Sequence, residues 1–544
     1  MLRRLQAYLV SGANFARRFP DFAIAMMMAV CLFSPAITSA QPPMIKDLGT
    51  IREGGAIDIP DGGTPPPYVV VQEGGYSGAM DISGDGSVVV GWTDEKRPSG
   101  WMQNPVKRNV NTVGFIWTQD DGMLDLGTLS GFQQSVAYGV SAGGNVVVGA
   151  AVDGEGKDGR AFRWSDAGGM QSVEEWLSDH GVNVGGDIKT KVAYGANAEG
   201  NVVVGQLQNG KAFIARAGRN SKSNKPAGGG GGWRSGLVTT DELQSSLADS
   251  GQKSGDVRRV SDMTLNGAHS RPLQRRVAPG RSRFWTAGDW GRDDHGDRSG
   301  QVGLMEIGVG RHFGPAQLNL ALGRTWARQD FVFNGKSRLN SRYLLLEALV
   351  PLRGSLWATV GAYGNWGDVR LHRGYLNAGN QDYSSARPDV ATYGLRARLD
   401  WLGVWQLSGT RLSPYVDLTR SRGRIDAYTE TGGGFPITVG KRTEHATELR
   451  LGVDTARQLT DLVRFTGKIE VAHHFEKRGA RMAGQVLGLS GFSFKGQANQ
   501  RNWLRAGVGV DGKLVGGEAS ATLYMTTRGQ APSAWIAVNW QRTF

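Results

Sequence analysis

From Arg283 to Phe544 apolar side chains occupy every second position through stretch after stretch of about ten to fourteen residues, with polar or small residues between them. Side chains along a strand point to opposite faces in turn, so each stretch has one greasy face and one wet face. Val463, Phe465, Ile469 and Val471 oppose Arg464, Thr466, Lys468 and Glu470. Leu504, Ala506, Val508 and Val510 oppose Arg505, Gly507, Gly509 and Asp511. Leu449, Leu451 and Val453 oppose Glu448, Arg450 and Asp454, and Tyr393, Leu395, Ala397, Leu399 and Trp401 oppose Arg396, Arg398 and Asp400. Some twelve such segments fit into about 260 residues. A soluble sandwich would bury its apolar faces against each other. The length of the array, and aromatics near segment ends at Trp357, Tyr363, Trp366, Trp401, Trp405, Tyr524, Trp535 and Trp540, suit a lipid-facing band with headgroup girdles instead. The expected fold is therefore all-β: a 12-stranded transmembrane outer-membrane β-barrel with a wet, charged lumen. Its lumen candidates are Glu448, Arg450, Asp454, Arg464, Lys468, Glu470, Arg505 and Asp511.

The other end of the chain reads as an export signal. Arg3, Arg4, Arg17 and Arg18 precede an apolar run from Phe22 to Phe33, and small residues lead to Thr38, Ser39 and Ala40. About twelve apolar residues are too few for a membrane-spanning helix, which needs roughly 20. This predicts a signal peptide over 1–40, cleaved between Ala40 and Gln41 with Thr38 in the recognition stretch. The single Cys31 lies inside it, so the exported chain has no disulfide or thiolate metal site.

Between signal and array, residues 41–217 repeat. The stretch from Ala79 to Gly91 recurs from Ala137 to Gly149 and from Ala193 to Gly205, offsets of about 58 and 56 residues. Each copy has a turn at Gly86, Gly144 or Gly200, a Val-rich strand, and an aromatic strand at Phe115–Trp117, Phe162–Trp164 or Phe213. A fourth strand follows in the first copy (Gly122–Thr128) and the second (Gly169–Val173), but the third stops near Arg216. Lys46–Thr50 repeats the Asp-Leu-Gly-Thr of Asp125–Thr128. The first strand is therefore expected to close the last unit, giving a propeller-like passenger.

Residues 218–282 form a Gly-rich basic linker. Gly218 to Arg283 holds twelve Lys/Arg against five Asp/Glu, over half of the chain's formal charge of +13. Basic patches attract phosphates, but after an export signal and around Gly228–Gly232 the expected partner is anionic lipopolysaccharide or a pore lining, not nucleic acid. Two helices are expected, Asp241 to Asp249 and Asp256 to Asn266, the second with Val257, Val260 and Met263 on one side and Gly267 as its stop. In the lumen Arg258 and Arg259 would face Glu448, Asp454 or Glu470.

Two resemblances follow. The repeats resemble the bacterial extracellular HAF repeat at Ala161-Phe162, Ala212-Phe213 and Gly114-Phe115, with the leading His replaced in all three. Ile536, Val538, Trp540 and Phe544 resemble the terminal strand that the outer-membrane barrel assembly machinery recognises, with Arg542 interrupting its apolar face. Signal, passenger, linker with helix and a terminal barrel at 283–544 resemble a type V (classical) autotransporter, as does Leu265–Leu273 ahead of the barrel. That resemblance implies a lumenal helix, a passenger at the cell surface and a barrel anchored in outer-membrane lipid.

No nucleophile elbow, zinc helix, phosphate loop or cysteine cluster occurs. His473 and His474 fall on opposite faces of a strand, Ser178-Asp179-His180 are sequence neighbours rather than a triad, and the counterparts of the Asp85 turn, Ala142-Gly143-Gly144 and Ala198-Glu199-Gly200, lack the Asp, so one carboxylate does not make a site. Trp92, Trp117 and Trp164 are expected in the core more than on a sugar-stacking surface. The chain is expected to need no cofactor, not to be an enzyme, and to display an adhesion or binding module for a host-surface or glycan ligand. The alternatives are an enzymatic passenger and a diffusion porin.

Overall fold

Twelve antiparallel strands close on themselves, each carrying the alternation read above: β1 (Ser282–Arg292), β2 (Gly300–Phe313), β3 (Ala316–Asp330), β4 (Lys336–Pro351), β5 (Leu356–Asn377), β6 (Asp389–Trp401), β7 (Thr410–Ile425), β8 (Arg442–Gln458), β9 (Val463–His474), β10 (Asn502–Leu514), β11 (Gly517–Thr526) and β12 (Ala534–Thr543). Neighbours in sequence pair in order, and β1 pairs with β12 from Arg283↔Thr543 to Arg292↔Ala534. Closure leaves no free edge. This computed structural model describes residues 50–51, 70–71, 77–94, 112–154, 158–218, 233–254, 263–295, 298–528 and 532–544. Thr38, Ala40, Gln41, Arg258 and Arg259, and most of the helix expected over Asp256 to Asn266, lie outside them.

The two faces separate sharply. Leu395 and Ile469 are 65% and 67% exposed, whereas their neighbours Arg396 and Lys468 are 2% and 3%. No helix among the described residues is long and apolar enough to cross a membrane, and the outward band of Ile307, Leu322, Val360, Leu451 and Val508 is far larger than a soluble monomer tolerates. Ile536 and Val538 on β12 face outward, as does Arg542, and Phe544 just beyond the strand is exposed.

The aromatics split. Trp366, Trp401 and Trp405 are exposed on the outer face. Tyr363, Tyr524 and Trp535 are buried in the lumen, against the girdle expectation, and Trp357 lies under Arg276. The cause is packing on glycine. Tyr363 lies directly opposite Gly394 and Tyr524 opposite Gly507, and a Cβ on either glycine would stand 2.2 and 2.5 Å from the ring. Trp535 in turn stacks on Tyr524 at 4.8 Å.

One end of the barrel has short turns, and the other has long excursions. On the long side β5 runs past the barrel to pair with Asn380–Ala386, and loops 426–441 and 475–501 build a four-stranded sheet from Tyr428–Thr429, Ile437–Val439, Met482–Val486 and Gly491–Phe494.

The repeats fold as three separate four-stranded meanders, beginning at Ser77, Gln134 and Thr190. Val147, Val203, Phe162 and Phe213 fill the cores, and Trp164 packs against the second one. Trp92, Trp117 and Trp164 are half-buried. A short helix, α1 (Val173–Asp179), follows the second meander, capped reciprocally by Ser172 and Glu175. His180 ends it by bonding Trp176 O at 2.7 Å, so Ser178-Asp179-His180 is a helix end. Thr50–Ile51 pairs with Val70–Val71 and not with the third meander. The third meander instead takes its fourth strand from Gly236–Thr239, within the segment read as linker, paired Phe213↔Thr239 to Arg216↔Gly236. Local pattern cannot announce a partner that lies across five glycines.

Candidate translocation lumen

After Gly236–Thr239 the chain enters α2 (Thr240–Ser254), where the expected first helix lies. Thr239 Oγ1 accepts from Glu242 N at 3.3 Å to start it. From Met263 to Arg276 the chain runs inside the barrel. Met263 packs on Val302 and Leu304, and Leu265 packs among Trp285, Ala287, Tyr343 and Tyr363. The helical turn Thr264–Ala268 breaks at Gly267, the expected stop, which has φ −89° and ψ −107°. A Cβ there would fall 1.8 Å from Asp289 Oδ2, so only glycine passes this point.

A helix end leaves carbonyls without partners, and the barrel wall supplies them. Arg505 Nη1 donates to Asn266 O at 2.8 Å, and Arg396 Nη1 to His269 O at 2.7 Å. Arg398 Nη1 and Lys468 Nζ donate to Ser270 O at 3.1 and 3.3 Å. Each donor is held by a carboxylate: Arg505 by Glu470 at 2.6 Å, Arg396 by Asp417 at 2.6 Å, Arg398 by Asp400 at 2.6 Å and Asp454 at 3.0 Å, Lys468 by Asp454 at 2.9 Å. Buried ions keep their charge only when paired in this way.

Plug side chains complete the network. His269 bridges Glu347 (2.8 Å) and Glu306 (2.9 Å) with its two ring nitrogens. Arg275 reaches Glu306 at 3.0 Å and lies 4.8 Å from the Trp285 ring. Glu306 also accepts from Trp285 Nε1 at 2.8 Å and Tyr343 OH at 2.5 Å. Arg271 meets Asp511 at 3.2 Å.

All eight lumen candidates face inward. Arg450 binds Glu448 at 2.6 Å and Glu470 at 2.8 Å, and Arg464 binds Asp511 at 2.9 Å at the half-open end of the network. His474 points inward and is fully buried, whereas His473 lies on the outer face. Glu306, Glu347, Asp417, His269 and Arg275 were missed. Glu347 had a visible signal, as the one charge within Leu344–Val350; Asp417 and Glu306 sit in strands whose alternation Gly and Arg residues blur.

Beyond the lumen, the strand and helix that follow the passenger dock on the long-loop end. Arg216 is fully buried, with its guanidinium 4.9 Å from the Trp233 ring and 4.6 Å from the Phe435 ring. It donates to Gly434 O and Leu487 O. Burial pulls its pKa down to about 9, still cationic at neutral pH. Leu237 exchanges backbone and side-chain hydrogen bonds with Asn377 (2.9 Å) and Ala378 (2.6 Å). Gly185 N donates to Ala378 O at 2.9 Å. Val238, Leu243 and Leu247 share one core with Tyr375, Phe435, Ile437 and Met482, where burial pushes the Tyr375 hydroxyl up to about 12.

Residues 284–525 match the family described as Autotransporter beta-domain. No curated protein matches the chain in sequence. Among solved structures, the translocator domain of autotransporter NalP from Neisseria meningitidis aligns at 12% identity over 55% of this chain and 98% of its own, with a TM-score of 0.44. The beta domain of the Bordetella autotransporter BrkA aligns at 16% over 49% and 100%, TM-score 0.36. The Pseudomonas putida toluene transporter TodX aligns at 10% over 52% and 92%, TM-score 0.35.

Proposed function

We propose that this chain is a type V autotransporter that exports its own repeat region through the outer membrane and keeps it docked on the barrel as a surface binding module. The observation that carries the reading is one covalent path: the plug occupies the lumen, leaves at the long-loop end as α2, and becomes the last strand of the passenger. A chain that crossed through the barrel would come to rest this way. The autotransporter beta-domain match, residues 284–525, runs from β1 to β11 of that lumen's wall. A porin reading has the plug against it, because His269, Arg271 and Arg275 occupy the space that solute would need. In this reading the signal peptide ends at Ala40, and β12 with Ile536, Val538, Trp540 and Phe544 is the segment read by the assembly machinery. Short turns then lie on the periplasmic side.

The binding role rests on a repeated irregularity. In every meander the first strand carries a bulge, between Ala79 and Asp81, Ala137 and Gly139, and Ala193 and Gly195. The extra residues are Met80, Tyr138 and Tyr194. Bulges re-aim side chains, and Met80 and Tyr194 are 47% and 54% exposed. Tyr138 and Tyr194 stand edge to face at 5.9 Å. Such a row suits the apolar faces of a glycan or of a host-surface protein. The meander order of each unit is that of a propeller blade, and we read the three as an open propeller-like stack of HAF-type repeats.

Protease shaving of intact cells tests display: the passenger should be digested from outside while β1 to β12 survive, and a fully protected passenger would overturn it. Cells bearing Met80→Ser, Tyr138→Ser and Tyr194→Ser together should lose attachment to arrayed glycans or host cells without losing display. Attachment equal to wild type would move the binding surface elsewhere. Hydrolysis of ester, peptide or glycoside substrates by displaying cells would favour the enzyme alternative.

A further inference from the structure

The outward wall of β3, β4 and β5 carries two rows of arginine at its long-loop end. Arg328 stands directly opposite Arg338, and Arg338 directly opposite Arg370. Four residues nearer the short turns, Arg324 stands opposite Arg342. All of these side chains are exposed. Opposed side chains on neighbouring strands start only about 5 Å apart at Cβ, and like charges so placed repel.

The wall's own carboxylates do little to relieve that repulsion. Arg324, Arg338 and Arg342 make no ion pair among the described residues, and Arg328 and Arg370 reach Asp330 and Asp368 only at 3.8 and 4.0 Å. Asp368 is already committed, since Arg387 donates to it from both Nε and Nη2 at 2.9 Å. On the short-turn side of the rows, Leu318, Leu320 and Leu322 on β3 and Leu346 on β4 are exposed apolar wall. The rows therefore sit where acyl chains give way to headgroups. They are not a general girdle, because β11 and β12 keep Leu523, Met525 and Ile536 outward toward the same end.

What lies between the rows selects the anion. Trp326 stands opposite Asn340, midway between the two lines of guanidinium groups. The indole covers Gly303 on β2, where a Cβ would stand 2.3 Å from the ring. Along the strand the rows are about 13 Å apart, four residues at about 3.3 Å each. Guanidinium forks match phosphate oxygens, and an aromatic ring beside an amide suits a sugar. Phosphate, sugar and phosphate in that order describe a disaccharide phosphorylated at both ends.

We propose that this face of β3 to β5 binds one lipopolysaccharide molecule of the outer leaflet through its bisphosphorylated disaccharide. One phosphate lies on Arg328, Arg338 and Arg370, the other on Arg324 and Arg342, with the sugars across Trp326 and Asn340. The proposal rests on the outer-membrane barrel reading, which places the long loops outside the cell. β5 continues from Arg370 to Asn377, which holds Leu237 of the passenger's last strand at 2.9 Å. The lipid thus braces the strand on which the passenger is docked.

Titration of the full chain in mild detergent, followed by native mass spectrometry, tests this with three probes: bisphosphorylated lipid A, monophosphorylated lipid A and phosphatidylglycerol. The wild type should bind one bisphosphorylated lipid A about tenfold or more tighter than either of the others. Arg324→Gln with Arg342→Gln, or Arg328→Gln with Arg338→Gln and Arg370→Gln, should abolish the preference for two phosphates over one. Arg420 and Arg422 on β7 also face outward but stand opposite Leu395 and Tyr393, so Arg420→Gln with Arg422→Gln should keep it. Equal binding of the three probes by the wild type overturns the proposal. So does an unchanged preference in both folded, heat-modifiable row variants, or an equal loss in the β7 variant, which would reduce the effect to diffuse surface charge. Where a row variant fails to fold, Arg338→Gln alone is read against the same criterion. A wild-type chain that is not heat-modifiable would instead strike the membrane-barrel reading, and this proposal with it.

Discussion

Leu395 and Arg396 are neighbours on β6, one 65% exposed and the other 2%, and the two faces that they represent depend on opposite physics. Leucine on the outer face is stable because lipid has no hydrogen bonds to lose. Arg396 on the inner face is stable only because Asp417, Glu347 and two plug carbonyls surround it. The outer face is therefore tolerant of any apolar side chain, while the inner one is specified group by group. The plug inherits that specificity, since its polar backbone is held by side chains that are themselves held.

The largest effect that would break this contrast is expected at Glu306. Four groups converge on it: His269, Arg275, Trp285 and Tyr343. Glu306→Leu leaves the buried Arg275 without its carboxylate and takes one of two carboxylates from His269, which keeps Glu347, and this costs about 3–5 kcal/mol. Denaturant midpoints in micelles should fall accordingly, and planar-bilayer conductance should rise as the plug loosens. Unchanged conductance would mean that the backbone contacts alone hold it.

Next comes the mirror experiment. Leu395→Arg puts onto the lipid face the same side chain that position 396 carries inside, and should cost about 2–4 kcal/mol near the bilayer midplane. A cost below that of Leu395→Ala would show that this height is already interfacial. Reversing Glu448 and Asp454 to Lys should act between the faces: Asp454 holds Lys468 and Arg398 on Ser270 O, so conductance should rise less than with Glu306→Leu.

A smaller effect is expected where the barrel meets the passenger. Arg216→Met keeps the stem against Trp233 and Phe435 but removes the donors to Gly434 and Leu487, a loss of about 2 kcal/mol. Hydrogen exchange should quicken at Gly236–Thr239 while the barrel melts as before. Equal protection in both proteins would move the anchor to Val238, Leu243 and Leu247.

How much of this could be read in advance follows from the same contrast. The strand count, the two faces and all eight lumen positions were legible because period two is a local property of the chain. Which aromatics turn inward was not: Tyr363 and Tyr524 go inside because a glycine sits directly opposite, and that is a fact of register between strands. The last passenger strand was hidden for a related reason. Gly236–Thr239 has four residues and no alternation, and its partner lies across residues 219–232. Closure by Lys46–Thr50 was the natural local inference; Lys46–Gly49 lie outside the described residues, and the fourth place in the third meander is taken by Gly236–Thr239.

The smallest expected effect has the opposite sign and lies on neither face. Val515 and Gly516 connect β10 to β11 with φ of 50° and 66°, so the turn has positive φ at both central positions. Hairpins of this kind favour Asn-Gly, because asparagine tolerates the left-handed region and a β-branched side chain does not. Val515 is 81% exposed, so it recovers little burial in exchange. Val515→Asn should therefore raise the unfolding midpoint by an amount equivalent to about 1 kcal/mol, with no change in conductance or in passenger exchange. A loss of stability instead would show that this valine is embedded in the headgroup layer, where its apolar burial outweighs the backbone strain, and would place the membrane boundary beyond the turn rather than at Trp540.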